Sequence, residues 1–95
     1  MAVYIALSNL TDEGRKTLKS NPGRINEVNK EIEAMGAKVV DQYAVLGGYD
    51  FISIVEAVDN ETVARISVEL GARGTIQITT LPAIPVPQFI DRLKT

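Results

Sequence analysis

The sequence has 95 residues, of which 45% are hydrophobic and 23% charged, and its formal net charge at pH 7 is −2. This length and composition predict a single globular domain and exclude a disordered tail or a fibre. The slight excess of acidic residues gives no reason to expect a nucleic acid as partner.

The chain contains neither cysteine nor histidine, so we expect no disulfide and no metal site. The glycine-rich segments Gly47-Gly48 and Gly71–Gly74 lack the lysine and hydroxyl of a phosphate-binding loop, and no cofactor is predicted. A domain this small exposes much of its surface, and association between subunits remains as a way to stabilise it. We therefore expect a homo-oligomer: a dimer, a trimer or a larger assembly.

The N-terminus enters a strand pattern directly and lacks a basic region followed by a long apolar stretch. No run approaches the ~18 apolar residues that a membrane-spanning helix needs. We therefore expect no secretion signal, no membrane association and a cytoplasmic location.

The first part of the chain predicts one strand and two helical segments. Hydrophobicity alternates over residues 2–8, which is typical of a strand. Thr11, followed by two acidic residues, is typical of a helix start, and Pro22 interrupts the helical spacing that follows. We predict a short helix at 11–20, a bend, and a main helix at 22–35.

The second part predicts a hairpin, a helix and a last strand. Two runs rich in β-branched and aromatic residues, 38–46 and 49–58, flank Gly47-Gly48, which indicates a two-residue turn. A helix that ends at Gly71 and a strand at 75–81 follow. The order strand, helix, strand, strand, helix, strand predicts an α+β ferredoxin-like fold, βαββαβ, with a four-stranded antiparallel sheet and helices on one face.

The helix-free face of this sheet is the most informative surface. We assign Val3, Ile5 and Leu7 to the helix side of the first strand and Ile76 and Ile78 to the helix side of the last. The residues left on the open face are then Tyr4, Ala6, Ser8, Thr75, Gln77 and Thr79. For the second and third strands of the sequence, the alternation of residues does not decide which set faces outward. This mixed surface favours packing against a partner subunit, with a ligand enclosed at the interface as the alternative.

The segment Leu46 to Phe51 (LGGYDF), followed by Ile54 to Ala57 (IVEA), resembles the GYD domain family, and the resemblance extends from about Tyr4 to Ala83. It implies a fold of the dimeric α/β-barrel type, in which ferredoxin-like units associate through their sheets, and a family without a settled activity. The family pattern also implies an arginine and an acidic residue on the last strand, where this chain has Gln77 and Thr79. We therefore divide the chain into a GYD-like domain, 1–83, and a proline-rich tail, 84–95, which is particular to this protein and could form a short helix.

Seven side chains are candidates for binding a ligand: Tyr4, Arg24, Tyr43, Asp50, Glu56, Gln77 and Thr79. Asp50 would be a proton acceptor or, as we favour, accept backbone amides of the Gly47-Gly48 turn. Glu56 would be a general acid or base or, as we favour, pair with Arg24 or Arg73.

The other candidates also have two interpretations. Arg24 would hold an anionic ligand at the start of the main helix, or it would tie down the bend, and the two are equally supported. Tyr4 and Tyr43 would stack on a ligand, although tyrosines at such positions more often fill interfaces.

Three functions remain open. We favour a small oligomeric binding or accessory protein whose sheet faces form the subunit interface, with a small organic ligand enclosed there as the alternative. The second is a cofactor-independent enzyme, an isomerase, decarboxylase or oxygenase, using Asp50, Glu56 or Tyr43; this rests on analogy of fold. The third is a self-assembling interaction module whose tail docks on a neighbour.

Overall fold

The computed structural model describes all 95 residues, which form eight elements in chain order. These are β1 (Ala2–Leu10), α1 (Asp12–Ser20), α2 (Arg24–Ala34), β2 (Ala37–Ala44), β3 (Phe51–Ala57), α3 (Asn60–Gly71), β4 (Ile76–Ala83) and α4 (Val86–Leu93). None of the helices is long and apolar enough to cross a membrane.

The four strands form one antiparallel sheet in the order β2-β3-β1-β4. α2 packs on β2 and α3 packs on β4, so both helices cover the same face. This arrangement confirms the predicted ferredoxin-like fold. The central strands are β1 and β3, which pair with each other although α1, α2 and β2 separate them in the sequence.

The predicted helix start at Thr11 is confirmed, and Asp59 caps α3 in the same way. The Thr11 side chain accepts a hydrogen bond from the Gly14 amide at 3.1 Å, and the Asp59 carboxylate accepts one from the Thr62 amide at 2.9 Å. Both residues are extended in backbone and precede acidic residues in the first turn, as a capping residue requires. The bend around Pro22 separates α1 from α2, as the proline predicted.

The face assignment for β1 was wrong. Tyr4 is only 3% exposed and lies under the helices, as Ser8 does at 5%. Val3, Ile5 and Leu7 therefore lie on the open face. The assignment for β4 is confirmed for four residues, because Ile76 and Ile78 border the helix side while Gln77 and Thr79 are exposed. It was wrong for Thr75, which precedes the strand and borders the helix-side cavity. Both sets of β1 are apolar enough for a core, so hydrophobicity alone pointed to the wrong set.

A β-bulge in β2 explains why parity failed there. The pairing with β3 shifts between Val39 and Asp41, which leaves Val40 as an extra residue. Because of this extra residue, Val39 and Gln42 both line the helix side, although they are three positions apart.

The predicted two-residue hairpin turn was also wrong. Six residues, 45–50, connect β2 to β3, and the Val45 amide closes the loop by donating to the Asp50 carbonyl at 2.9 Å. The loop is anchored to β1, because the Asp50 amide donates to the Ser8 carbonyl at 2.8 Å. Gly47 has a positive φ of 112°, which explains a glycine at that position.

The open face is more apolar than predicted. Cross-strand pairs of large aliphatic residues occupy its centre, Ile5 opposite Ile54 and Leu7 opposite Ile52, with Leu81 of β4 beside Ile5. Polar residues surround this centre: Lys38, Asp41, Tyr43, Glu56, Gln77 and Thr79. An apolar centre with a polar rim is typical of a protein–protein interface.

The tail forms α4, and every residue of that helix is exposed. Its apolar side chains recur at helical spacing on one side: Val86, Phe89, Ile90 and Leu93. Phe89 is 50% exposed and Ile90 45%. The helix therefore leaves a whole apolar face without a partner within its own chain.

α1 approaches the sheet so closely at Gly14 that only glycine fits. A Cβ atom there would lie 2.0 Å from the Thr75 carbonyl oxygen. The same carbonyl accepts a hydrogen bond from the Thr11 amide at 3.1 Å, so the contact and the helix cap stabilise one junction.

We predict that Gly14→Ala lowers the free energy of unfolding by about 1–3 kcal/mol, since the clash outweighs the better helix propensity of alanine. Gly71→Ala is the matched control, because that glycine also lies in a helix and a Cβ there meets nothing within 4 Å. It is expected to stabilise by about 0.4–1 kcal/mol. Chemical denaturation measures both, and an equal effect of the two changes would contradict the close approach.

Candidate functional site

The largest cavity lies between the sheet and its helices, not on the open face, and its volume is about 370 Å³. α2 and α3 pack over opposite edges of the sheet, so the central strands are left beneath the space between them. The cavity walls are mainly apolar: Leu18, Ile25, Val28, Ile32, Val39, Phe51, Val55, Val63, Ile66, Leu70, Ile76 and Ile78. Its volume falls in the range of small-molecule sites, about 300–1,000 Å³.

A row of polar side chains crosses the floor of this cavity. The Asn29 amide of α2 donates to Gln42 Oε1 at 2.8 Å, and Gln42 Nε2 donates to Ser53 Oγ at 3.1 Å. Ser8 lies on the neighbouring strand, diagonally across from Ser53, and its hydroxyl takes part in none of the side-chain hydrogen bonds of the chain. Buried polar groups in an apolar surrounding are stable only when they are hydrogen-bonded, so Ser8 offers a bonding position inside the cavity.

Two arginines are the only charged residues that line the cavity, and Glu31 connects them. Arg24 Nη1 lies 3.1 Å from Glu31 Oε1 and 3.0 Å from Glu27 Oε2. Arg73, which follows α3, contacts Glu31 Oε2 through Nη2. This ion pair links the end of α3 to the middle of α2 and so spans the space between the helices.

The ion pairs shift the pKa values of Glu31 and Arg24. The hydrogen bond from Arg73 holds the pKa of Glu31 below its usual range, and burial only partly opposes this effect. The hydrogen bond to Glu27 raises the pKa of Arg24 further above its ordinary value. Both shifts favour the charged forms of Glu31 and Arg24.

The structure divides the predicted site residues among three places. Tyr4 and Arg24 border the cavity, and the Tyr4 hydroxyl donates to Asn60 Oδ1 at 2.6 Å. Tyr43, Glu56, Gln77 and Thr79 lie on the open face, where Tyr43 is 60% exposed. Asp50 lies in the loop between β2 and β3, beside the C-terminal end of β1. The seven residues therefore do not form one site.

Asp50 and Glu56 do not have the partners that were predicted for them. Asp50 does bind a backbone amide, but it is that of Leu10, at 2.8 Å, rather than one of the glycine turn. Arg15 also lies 3.7 Å from this carboxylate. Glu56 does not pair with Arg24 or Arg73, since both bind Glu31. It stands opposite Lys38 on the open face.

Sequence reasoning missed the polar row and Glu31. A serine at the third inward position of β1, after Tyr4 and Ala6, and one between Phe51 and Val55 interrupt otherwise apolar sets, which was the available signal. The spacing of Arg24 and Glu31, seven residues and two helical turns, also places them on one side of α2.

Comparisons with known proteins agree with this fold. The model of the GYD domain matches residues 4–93. A protein of Thermus thermophilus, named "Glutamine synthetase and cystathionine beta-lyase binding protein", is 55% identical over 95 residues, covering 99% of this chain and 100% of that protein. The match through residue 93 includes α4, so the expectation that the tail is particular to this protein was wrong.

Two solved structures are similar in fold. The crystal structure of MtbAldR superposes with a TM-score of 0.64 and 27% identity over 88% of this chain. The matched region is 52% of MtbAldR, so this chain spans about half the length of that protein. The crystal structure of TTHA0845 from Thermus thermophilus has a TM-score of 0.56 and 21% identity, covering 90% of this chain and 95% of that one, which shows the fold alone.

We predict that Glu31→Gln lowers the melting temperature at pH 7 and that the loss becomes smaller as the pH falls to 3. The pKa of Glu31 is lowered in the folded chain, so its stabilisation is complete above the usual pKa of about 4.5 and is lost as the pH falls through the lower native value. The pKa of Asp59 is also lowered, by hydrogen bonds from Thr62. Asp59 is present in the wild type and in the variant, so its contribution cancels when their melting temperatures are compared.

Thermal unfolding of the wild type and of Glu31→Gln between pH 7 and pH 3 measures this pH-dependent loss of stability. Glu33→Gln is the matched control, because Glu33 is exposed on the same helix and forms no ion pair. A loss from Glu31→Gln that is equal at pH 7 and pH 3 would show that the carboxylate charge does not matter.

Proposed function

Because this chain belongs to the GYD domain family, we propose that it is a homo-oligomeric binding protein that attaches to metabolic enzymes and catalyses no reaction itself. The observation that carries this proposal is the end-to-end likeness, at 55% identity, to a protein named for binding glutamine synthetase and cystathionine β-lyase. We propose those two enzymes as partners of this chain, and the cytoplasm as its location.

The surface area of the chain supports the assembly. The accessible surface is 6515 Å², against about 5,400 Å² for a compact monomer of this mass. The excess is about 1,100 Å², and one partner in an ordinary dimer interface buries about 800 Å². A single chain therefore exposes the area that an interface would cover.

The shape of the chain leads to the same proposal. The radius of gyration is 14.4 Å, and a compact chain of this length has about 12.4 Å. Only nine of the 95 residues are buried, so one chain has little core of its own. A second copy that covers the Ile5–Ile54 centre of the open face, with α4 reaching across it, would bury the two largest apolar surfaces at once.

The arrangement of side chains gives no support to the enzyme alternative. The three residues suggested as its titratable groups are apart: Asp50 binds the Leu10 amide, while Tyr43 and Glu56 lie on the open face, opposite Ile52 and Lys38. The hypothesis of a ligand between two sheets stays a prediction.

We predict that Ile54→Lys converts the assembly to a folded monomer, because it places an ammonium group in the centre of the apolar face. Light scattering after gel filtration measures the mass, and circular dichroism checks the fold. Val68→Lys is the matched control, since Val68 is an exposed apolar residue on α3, away from the open face. A wild-type chain that is monomeric at micromolar concentration would overturn the assembly.

We predict saturable binding of the full-length chain to glutamine synthetase, cystathionine β-lyase or both, taken from the same source as this chain. Biolayer interferometry with the purified enzymes measures it, with an unrelated enzyme of similar size as control. Binding to neither enzyme would contradict the proposed partners and leave the assembly to be judged by its own test.

A further inference from the structure

We propose that the cavity between the sheet and its helices binds a small monocarboxylate with an apolar body. This site lies on the opposite side of the sheet from the proposed subunit interface. Binding there therefore does not require the proposed subunit interface.

The cavity walls determine the body of the ligand. Fifteen of the 26 lining residues are hydrophobic. Protein interiors rarely leave voids much larger than one water molecule, and an apolar cavity of about 370 Å³ is a poor container for water. An unbranched alkyl chain or a small ring would fill this space and replace the missing packing contacts.

The charges along the walls determine the head group. Arg24 and Arg73 are the only charged lining residues, and no carboxylate lines the cavity. Arg24 uses only Nη1 in its ion pairs, and Arg73 contacts Glu31 through Nη2. Each guanidinium has five N–H donors, so donors remain for a carboxylate, while an ammonium head would find no carboxylate in the lining to accept its hydrogen bonds.

The polar row gives the ligand a second anchor. The Ser8 hydroxyl lies in the floor, beside the chain of hydrogen bonds from Asn29 through Gln42 to Ser53. A hydroxyl both donates and accepts, so Ser8 can bond an oxygen on the ligand that does not reach the arginines. Both anchors select an oxygen-bearing molecule with little other polarity.

Isothermal titration with three probes of one length tests the proposal: octanoate, 1-octanol and octylammonium. We expect octanoate to bind with one site per chain, about tenfold more tightly than 1-octanol, with octylammonium weakest. No saturable binding of any probe, equal affinity for octanoate and 1-octanol, or tightest binding of octylammonium would overturn the proposal.

Two variants locate the binding. Ala6→Leu extends a side chain from the floor into the cavity and is expected to abolish binding of all three probes, whereas Ala34→Leu, on the exposed end of α2, leaves it unchanged. Binding that survives Ala6→Leu would place the probe outside the cavity and refute the cavity site.

Arg73→Gln is expected to reduce octanoate affinity about tenfold while 1-octanol affinity stays the same. The 1-octanol titration reports whether the cavity of this variant is intact. Arg92→Gln, on the exposed α4, is the matched control and should change neither affinity. An equal loss for both probes in Arg73→Gln would mean that the arginine only stabilises the fold.

Discussion

Two helices can cover one face of a four-stranded sheet, but both faces of this sheet are apolar. On β1 the inward set contains Tyr4 and Ala6, and the outward set contains Ile5 and Leu7. Strands that are apolar on both sides are normally covered on both sides. In this chain the helices that pack on the sheet leave the outer face uncovered, and this exposed face is the reason for proposing an assembly. The exposed α4, which leaves the sheet at its edge strand, adds a further apolar surface that also needs a cover.

The helices also cover their own face incompletely. α2 lies over β2 and α3 over β4, at the two edges, so the middle of the sheet is open between them. The Arg73–Glu31 ion pair bridges this gap at one end, and Asn29 connects α2 to the floor through Gln42. Polar contacts thus set the spacing of the helices where apolar packing does not. A cavity held open by directional bonds keeps its shape better than one lined by aliphatic side chains alone.

The sequence predicted the order and type of the elements, because capping residues, glycines and hydrophobic periods are local signals. It did not predict which side of β1 faces inward, since Val3, Ile5 and Leu7 are as hydrophobic as a core requires and Tyr4 needs Asn60, 56 residues away, to satisfy its hydroxyl. The bulge at Val40 and the long loop before Asp50 also depend on tertiary pairing, through β3 and the Ser8 carbonyl. Of the candidate ligand-binding side chains, only Tyr4 and Arg24 border the cavity. The other polar groups there include Arg73, the serines and the amides, whose role arises from where the strands and helices meet.

The distribution of polar groups favours recognition over catalysis. Acid–base chemistry needs a group that gains and loses a proton near neutral pH, close to a second reacting group. In this chain the polar groups that converge are hydroxyls, amides and two guanidiniums, and an arginine stays protonated under all ordinary conditions. Of the carboxylates near these groups or considered for catalysis, Glu31 binds arginine, Asp50 binds a backbone amide, and Glu56 lies on the rim of the open face. Such groups hold and orient a bound molecule, and the apolar surfaces around them supply the binding energy, which is the division of roles expected of a binding protein.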